Sequence, residues 1–351
     1  MQGIIRKNPN ASPIMDDVDR LYMQLSDFEG TRPLIKQKYG EWFEPLVDVF
    51  EEFTGHTWDV EYEDRKYSGI APIDNNNIIL AFSGGKDSIA SAIRFKETGK
   101  NVYLYHLKHI NPSFSDEWKC AQALADLLEL PIFFDDIKLT GHHPYMEHPM
   151  KNMLIGNGAL SYGIREKITT NIAFGNYTNS YLDDNVFDRC AGDCVDMWDF
   201  YNNIIKQVIP DFEIKFNLKH MGDTLDAISD RPDLLNESLS CLCRHSLRDY
   251  RRQWVKDKFG VELFQKRCGS CYKCCVEYIY MADHNKISYS EPYYKYCLGQ
   301  LYKVARAEDI KVNSVTELWE NYFAYSYKES KIAKQIEYAL LGTQKIVWQK
   351  C

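Results

Sequence analysis

The chain has 351 residues, a net charge of −8, an apolar fraction of 45% and 11 cysteines. That length supports a substantial core, in one large domain or two modest ones. The negative charge argues against a protein whose main task is gripping nucleic acid by neutralising phosphates. No apolar run is long enough to cross a bilayer, so the expectation is a cytoplasmic location and no membrane partner.

Residues 1–75 read as a mainly helical N-terminal extension. "SPIMDDVDRLYMQLSDF" opens on a capping signal and continues with helical spacing. "GEWFEPLVDVFEEF" places Trp42, Phe43, Leu46, Val49, Phe50 and Phe53 along one side of a second helix. Both segments are rich in Asp and Glu, which suits a packing layer or a face for a protein partner. "HTWDVEYED" alternates as a short strand does.

Residues 76–240 change pattern. "NIILAF", "NVYLYHL", "PIFFDDI" and "NIAFGN" are short apolar strands, with a helix from Ile89 and another around "DEWKCAQALADLLEL". Alternating segments of this kind predict an α/β fold, a doubly wound parallel sheet covered on both faces. Ligands in such sheets sit at the carboxyl ends of strands, near the point where the strand order reverses. The first of these strands ends in "SGGKDS", residues 83–88.

Gly84 and Gly85 permit a tight path from strand to helix and remove side chains that would block an anion. The helix N-terminus adds partial positive charge. Ser83 and Ser88 offer hydroxyl donors, and Lys86 offers a full charge. The turn therefore suits a phosphate. Asp87 is an acceptor beside that phosphate, a conflict that a Mg²⁺ ion between them resolves. The string is neither G-x-x-x-x-G-K-[ST] nor G-x-G-x-x-G.

Residues 241–285 form a cysteine region. "CGSCYKCC" sets Cys268, Cys271 and Cys274 at C-x-x-C-x-x-C spacing, which lets neighbouring thiolates face one tetrahedral ion. Cys241 or Cys243, in "ESLSCLCRHS", is the candidate fourth ligand. Structural zinc is the expected occupant and an iron–sulfur cluster its rival; Cys275 points elsewhere. Between the two groups, "RHSLRDYRRQWVKDKF" reads as a basic amphipathic helix. Residues 286–351 read as a helical C-terminal extension containing "VTELWENYFAYSY" and "KIAKQIEYALL".

"SGGKDS" after a strand resembles the PP-loop of the ATP pyrophosphatases, whose fold is of the HUP-like α/β kind. A PP-loop first and C-x-x-C-x-x-C last resembles the 7-cyano-7-deazaguanine synthases of the queuosine pathway (the QueC family), from about Ile78 to Ala282. "HPMKNMLIGNGAL" is similar to their P-G-R-N segment, "GDCV" to their P-D-C-R, and "NESLSCLC" to the segment carrying their first zinc ligand. The last similarity selects Cys241 over Cys243. The resemblance implies that ATP is cleaved to AMP and pyrophosphate to activate the carboxylate of 7-carboxy-7-deazaguanine. Ammonia then gives an amide, and a second activation gives the nitrile.

By the same resemblance, Ser83, Gly84, Gly85, Asp87 and Ser88 bind the ATP phosphates and Mg²⁺, Lys86 is an added electrophilic helper, and Lys86 and Asp87 are the catalytic candidates. His106 and the residues after it, to Asn111, border the nucleotide or the base. Lys151, Asn152, Gly175, Asn176 and Asp193 face the deazaguanine. Lys151 and Val195 stand where the family has arginine, and Lys86 stands where it more often has glutamine. These departures and the added segments resemble divergent members found in antiphage operons, including type IV CBASS. In that reading a protein or nucleic-acid amine replaces ammonia. Two other readings stay open: a PP-loop tRNA thiolase using Cys190 or Cys194, and a non-catalytic nucleotide-sensing subunit. A second copy of the chain is a further expected partner.

Overall fold

The computed structural model describes residues 3–25, 38–54, 57–108, 117–140, 151–175, 195–218, 221–239, 241 and 245–307. Two compact units divide the chain. The first comprises residues 1–83, 94–176 and 180–217; the second comprises 84–93, 177–179 and 218–351.

The first unit carries a sheet of five strands: β1 (Gly3–Arg6), β4 (Asn77–Ala81), β5 (Asn101–Lys108), β6 (Ile132–Thr140) and β7 (Ile172–Phe174), in the order β1-β6-β5-β4-β7. The last four are mutually parallel, as the alternating sequence pattern predicts. β1 is an addition at the edge, antiparallel to β6, with Arg6 opposite Ile137. β2 (Tyr39–Gly40) and β3 (Tyr62–Glu63) form a separate parallel pair, so among the described residues of "HTWDVEYED" only two are strand. The chain runs from β4 through β5 to β6, then returns to the other side of β4 as β7. Strand order therefore reverses between β4 and β7.

The reason β4 is central lies in its composition. Ile78, Ile79, Leu80 and Ala81 are all buried, so both faces of the strand are covered. Ile79, Ala81, Tyr105 and Ile172 share one core with α1 (Pro13–Leu25), α2 (Glu44–Thr54), α5 (Lys151–Arg165) and α6 (Val195–Lys206). Ile78, Leu80, Val102 and Leu104 are buried on the opposite face, where α4 (Glu117–Leu128) packs on β5 and β6. The N-terminal helices thus belong to the same compact unit as the sheet.

A buried polar group fastens β1. Arg6 reaches Asp19 of α1 through Nε and through Nη2, the latter at 2.9 Å, and Nη2 also donates to the Leu154 carbonyl at 2.7 Å. Asp135 of β6 accepts from Asn8 at 2.8 Å and from the Tyr105 hydroxyl at 3.0 Å. Gly158 lets α5 cross close by: a β-carbon there would collide with the Tyr105 hydroxyl and press on the Arg6 guanidinium.

In the second unit, α3 (Lys86–Glu97) begins, and α7 (Met221–Ile228), α8 (Pro232–Glu237), α9 (His245–Phe259), α10 (Tyr272–Asp283) and α11 (Glu291–Ala307) follow; the later turns of α3 lie in the first unit. α9 is the basic helix expected between the cysteine groups. The expected helices "VTELWENYFAYSY" and "KIAKQIEYALL" lie outside the described residues. No described helix is long and apolar enough to cross a membrane.

Candidate functional site

β4 delivers the chain into the glycine turn. Pairing continues one residue past the strand, where the Phe82 amide donates to the Tyr105 carbonyl at 2.8 Å. His106 Nδ1 lies 2.8 Å from the Phe82 carbonyl. A carbonyl only accepts, so Nδ1 carries the hydrogen. The imidazole is buried and meets Phe134 edge-on, with ring centroids 5.6 Å apart. At the end of β5, the Lys108 ammonium sits over the rings of Trp118 and Phe134, at 4.4 and 4.7 Å from their centroids.

Ala81 pairs with Phe174, so Gly175 leaves β7 beside the place where Ser83 leaves β4. Ser83, His106 and Gly175 are thus gathered at one carboxyl edge of the sheet, at the point of strand-order reversal. Lys151 and Asn152 occupy the first turn of α5 in this same unit. Asn176, Asp193, Cys190, Cys194 and Cys243 lie outside the described residues.

The rest of the turn belongs to the second unit. Gly84 has φ +75°, a left-handed conformation that favours glycine, and its carbonyl accepts the Leu239 amide at 2.9 Å. Ser88 Oγ donates to the Gly85 carbonyl at 3.0 Å, inside the first turn of α3. Lys86 is buried, and its Nζ lies 2.8 Å from Asp87 Oδ1. Thr224 Oγ1 of α7 donates to that same oxygen at 3.1 Å. Two donors fix the Asp87 carboxylate, and the lysine offsets its charge. The turn combines a helix N-terminus, a left-handed glycine and an ammonium, a set that can accept an anion.

Four sulfurs meet in the same unit. The Sγ atoms of Cys241, Cys268, Cys271 and Cys274 all lie within 4.8 Å of one another. Individual separations are 4.0 Å for Cys241–Cys271, 4.0 Å for Cys268–Cys274 and 3.4 Å for Cys271–Cys274. Zn–S bonds of about 2.3 Å in a tetrahedron place sulfurs about 3.8 Å apart. The set fits one ion such as zinc. It is too tight for several iron and sulfide atoms between the thiolates. None of the four is in a disulfide.

The amides of Ser270 and Cys271 donate to Cys268 Sγ at 3.4 and 3.3 Å. The Cys268 thiol is held well below the usual thiol range, by hydrogen bonds from Cys241, Cys271 and Cys274. Cys274 is pushed the other way by hydrogen bonds with Cys241, Cys268 and Cys271. A dication held by the four sulfurs would stabilise the thiolate form of each. Cys275 faces the Gly269 carbonyl instead, at 3.9 Å.

Four participants had no signal in the sequence pattern. Thr224 holds Asp87, and Leu239 holds Gly84. Arg267 is fully buried, with Nε 2.7 Å from Glu277 Oε1, Nη1 2.8 Å from the Ser238 carbonyl and Nη2 2.8 Å from Ser238 Oγ. Trp118 joins the end of β5 from α4. Each is brought in by tertiary contact rather than by spacing.

No protein-family model and no curated protein matches the chain.

Proposed function

We propose that the protein is an ATP-dependent enzyme of the PP-loop kind, similar to 7-cyano-7-deazaguanine synthase. In this reading it makes a carboxylate reactive through AMP. The single observation that carries the reading is the strand–SGGKDS–helix turn, which leaves a central parallel strand beside the reversal of strand order. The four-cysteine group, late in the chain as in that family, supports it.

The chemistry follows from the need. A carboxylate resists nucleophiles, and its oxygen leaves poorly. Attack of the carboxylate of 7-carboxy-7-deazaguanine on the ATP α-phosphorus expels pyrophosphate and leaves an acyl-AMP. An amine then displaces AMP and loses a proton, giving an amide. With ammonia as the amine, a second ATP activates the amide oxygen, and loss of AMP and a proton gives the nitrile. Bringing two anions together requires positive charge around the phosphates. Lys86, the loop amides and the α3 N-terminus provide it, and Asp87 is the residue that would hold Mg²⁺. His106 would fix the loop's entry; Lys151, Asn152, Gly175 and Asp193 would face the deazaguanine. The cysteines would hold zinc with no open position, in a structural role. A protein or nucleic-acid amine in place of ammonia, in antiphage defence, is the variant that the basic α9 favours.

The test is incubation with Mg-ATP and 7-carboxy-7-deazaguanine, with and without ammonia. AMP and pyrophosphate formation that depends on the deazaguanine is expected. ATP cleavage stimulated by tRNA alone, or none with any acid, contradicts the assignment.

A further inference from the structure

The cysteine group and the glycine turn are joined by two short paths inside one compact unit. The first runs along the chain. Cys241 lies two residues after Leu239, whose amide donates to the Gly84 carbonyl at 2.9 Å. The second runs through helices. Cys274 stands in the first turn of α10; further along α10 the Tyr280 hydroxyl donates to Asp226 of α7, and Thr224 of α7 donates to Asp87 at 3.1 Å. Arg267 ties the first path to the cysteines. It immediately precedes Cys268, yet two of its nitrogens grip Ser238, the neighbour of Leu239, at 2.8 Å each. Its third contact is with Glu277 at 2.7 Å, one turn of α10 beyond Cys274.

We propose that metal binding at Cys241, Cys268, Cys271 and Cys274 sets the shape of the glycine turn, with Arg267 as the positioning residue. Drawing Cys241 and Cys268 onto one ion places Arg267 against Ser238, and Ser238 delivers the Leu239 amide to Gly84. Gly84 is the residue whose left-handed backbone defines the turn. Without the ion, Cys241 and Cys268 lose the metal–sulfur bonds that would fix their separation. The metal site is then more than a staple for its own loop: its occupancy decides whether the turn is formed. The consequence for nucleotide rests on the function proposed above; the consequence for the turn itself does not.

Hydrogen exchange read by mass spectrometry on the full zinc-loaded chain, before and after chelation, tests the coupling. The expected result is faster exchange in peptides covering residues 84–90, with peptides covering 77–81 and 101–108 unchanged. Two variants decide the matter even where chelation unfolds the chain. Leu239→Pro deletes the donor to Gly84. Ser238 already has φ −70° and ψ 138°, the conformation a residue before proline prefers. Arg267→Lys keeps a charge for Glu277 but loses the fork on Ser238. Both should keep one zinc per chain, exchange faster at 84–90 and bind Mg-ATP about three- to tenfold more weakly, the loss of one hydrogen bond. Unchanged exchange at 84–90 in both variants overturns the proposal, as does zinc loss with the turn still protected. If the zinc-loaded wild type binds no Mg-ATP, the functional reading fails while the exchange result still judges the coupling.

Discussion

Lys86 and Asp87, neighbours in sequence, also meet through their side chains, with Nζ 2.8 Å from Oδ1. The ammonium is almost fully buried and the carboxylate is about one-third exposed (3% and 36% of side-chain surface). Asp87 is therefore a paired carboxylate rather than a bare one. Asp87→Ala should abolish deazaguanine-dependent pyrophosphate release. Lys86→Gln should keep release within about tenfold, since a hydrogen bond to a charged group contributes ~1.5–3 kcal/mol and an exposed carboxylate screens part of that. It should also raise the Mg²⁺ concentration needed for half-maximal rate. Titrating Mg²⁺ against both variants measures this, and an unchanged Mg²⁺ requirement in Lys86→Gln argues against a shared task for the two cations.

The cysteine group makes a prediction in pH. Thiolates bind metal and thiols do not, so affinity must fall as pH falls. Hydrogen bonds with Cys241 and Cys268 hold the Cys271 thiol up, and Cys274 is raised for the same kind of reason. Those two therefore keep their protons at neutral pH in the metal-free chain and must lose them on loading. Zinc binding followed by calorimetry in buffers of different ionisation heat should show proton release, with affinity weakening steadily below neutrality. One zinc per chain is expected by elemental analysis. Cys271→Ser should lose both the zinc and the soluble fold. Iron in place of zinc contradicts the choice of metal, and binding without proton release contradicts the four-thiolate set.

Burial at the other end of the chain predicts a stability effect. The Arg6 and Asp19 side chains are 4% and 8% exposed, and Asp135 Oδ2 lies 3.9 Å from Arg6 Nη1. Arg6→Met leaves two buried carboxylates without their cation. Breaking such a pair from one side costs about 3–5 kcal/mol, whereas replacing both partners with apolar groups is often close to neutral. Arg6→Met should lower the urea midpoint sharply, and Arg6→Met/Asp19→Leu should recover part of the loss. Equal midpoints for Arg6→Met and wild type would show that the buried Arg6–Asp19 pair contributes nothing to stability.

That network also marks where the sequence stops being readable. β4, β5, β6 and β7 are legible because runs such as "NIILAF" are apolar without interruption, which a strand covered on both faces requires. "GIIR" is only four residues long, and its partner is β6, far along the chain, so nothing local declares β1 a strand. The turn is legible from its glycines, and Cys268, Cys271 and Cys274 from their spacing. The choice of Cys241 came from resemblance, and the sulfur distances make it one of the four. Thr224, Leu239 and Arg267 are silent in the sequence because their roles rest on partners more than 20 residues away, such as Asp87, Gly84 and Ser238.

His106 supplies the last prediction. Its Nδ1–H bonds the Phe82 carbonyl at 2.8 Å, directly before the chain enters the turn. His106→Ala strips a donor from a buried carbonyl, which costs about 1–3 kcal/mol. The residue that follows, Ser83, is then less firmly aimed. The expected outcome is a lower urea midpoint and, under the function proposed above, Mg-ATP binding weakened by up to about tenfold, because Ser83 is one of the residues proposed to hold the phosphates. Asn places an amide nitrogen near the position of Nδ1, so His106→Asn should restore most of both losses. Restoration of the midpoint without restoration of binding would mean that the imidazole touches the nucleotide itself, and the histidine would then belong among the binding residues rather than behind them.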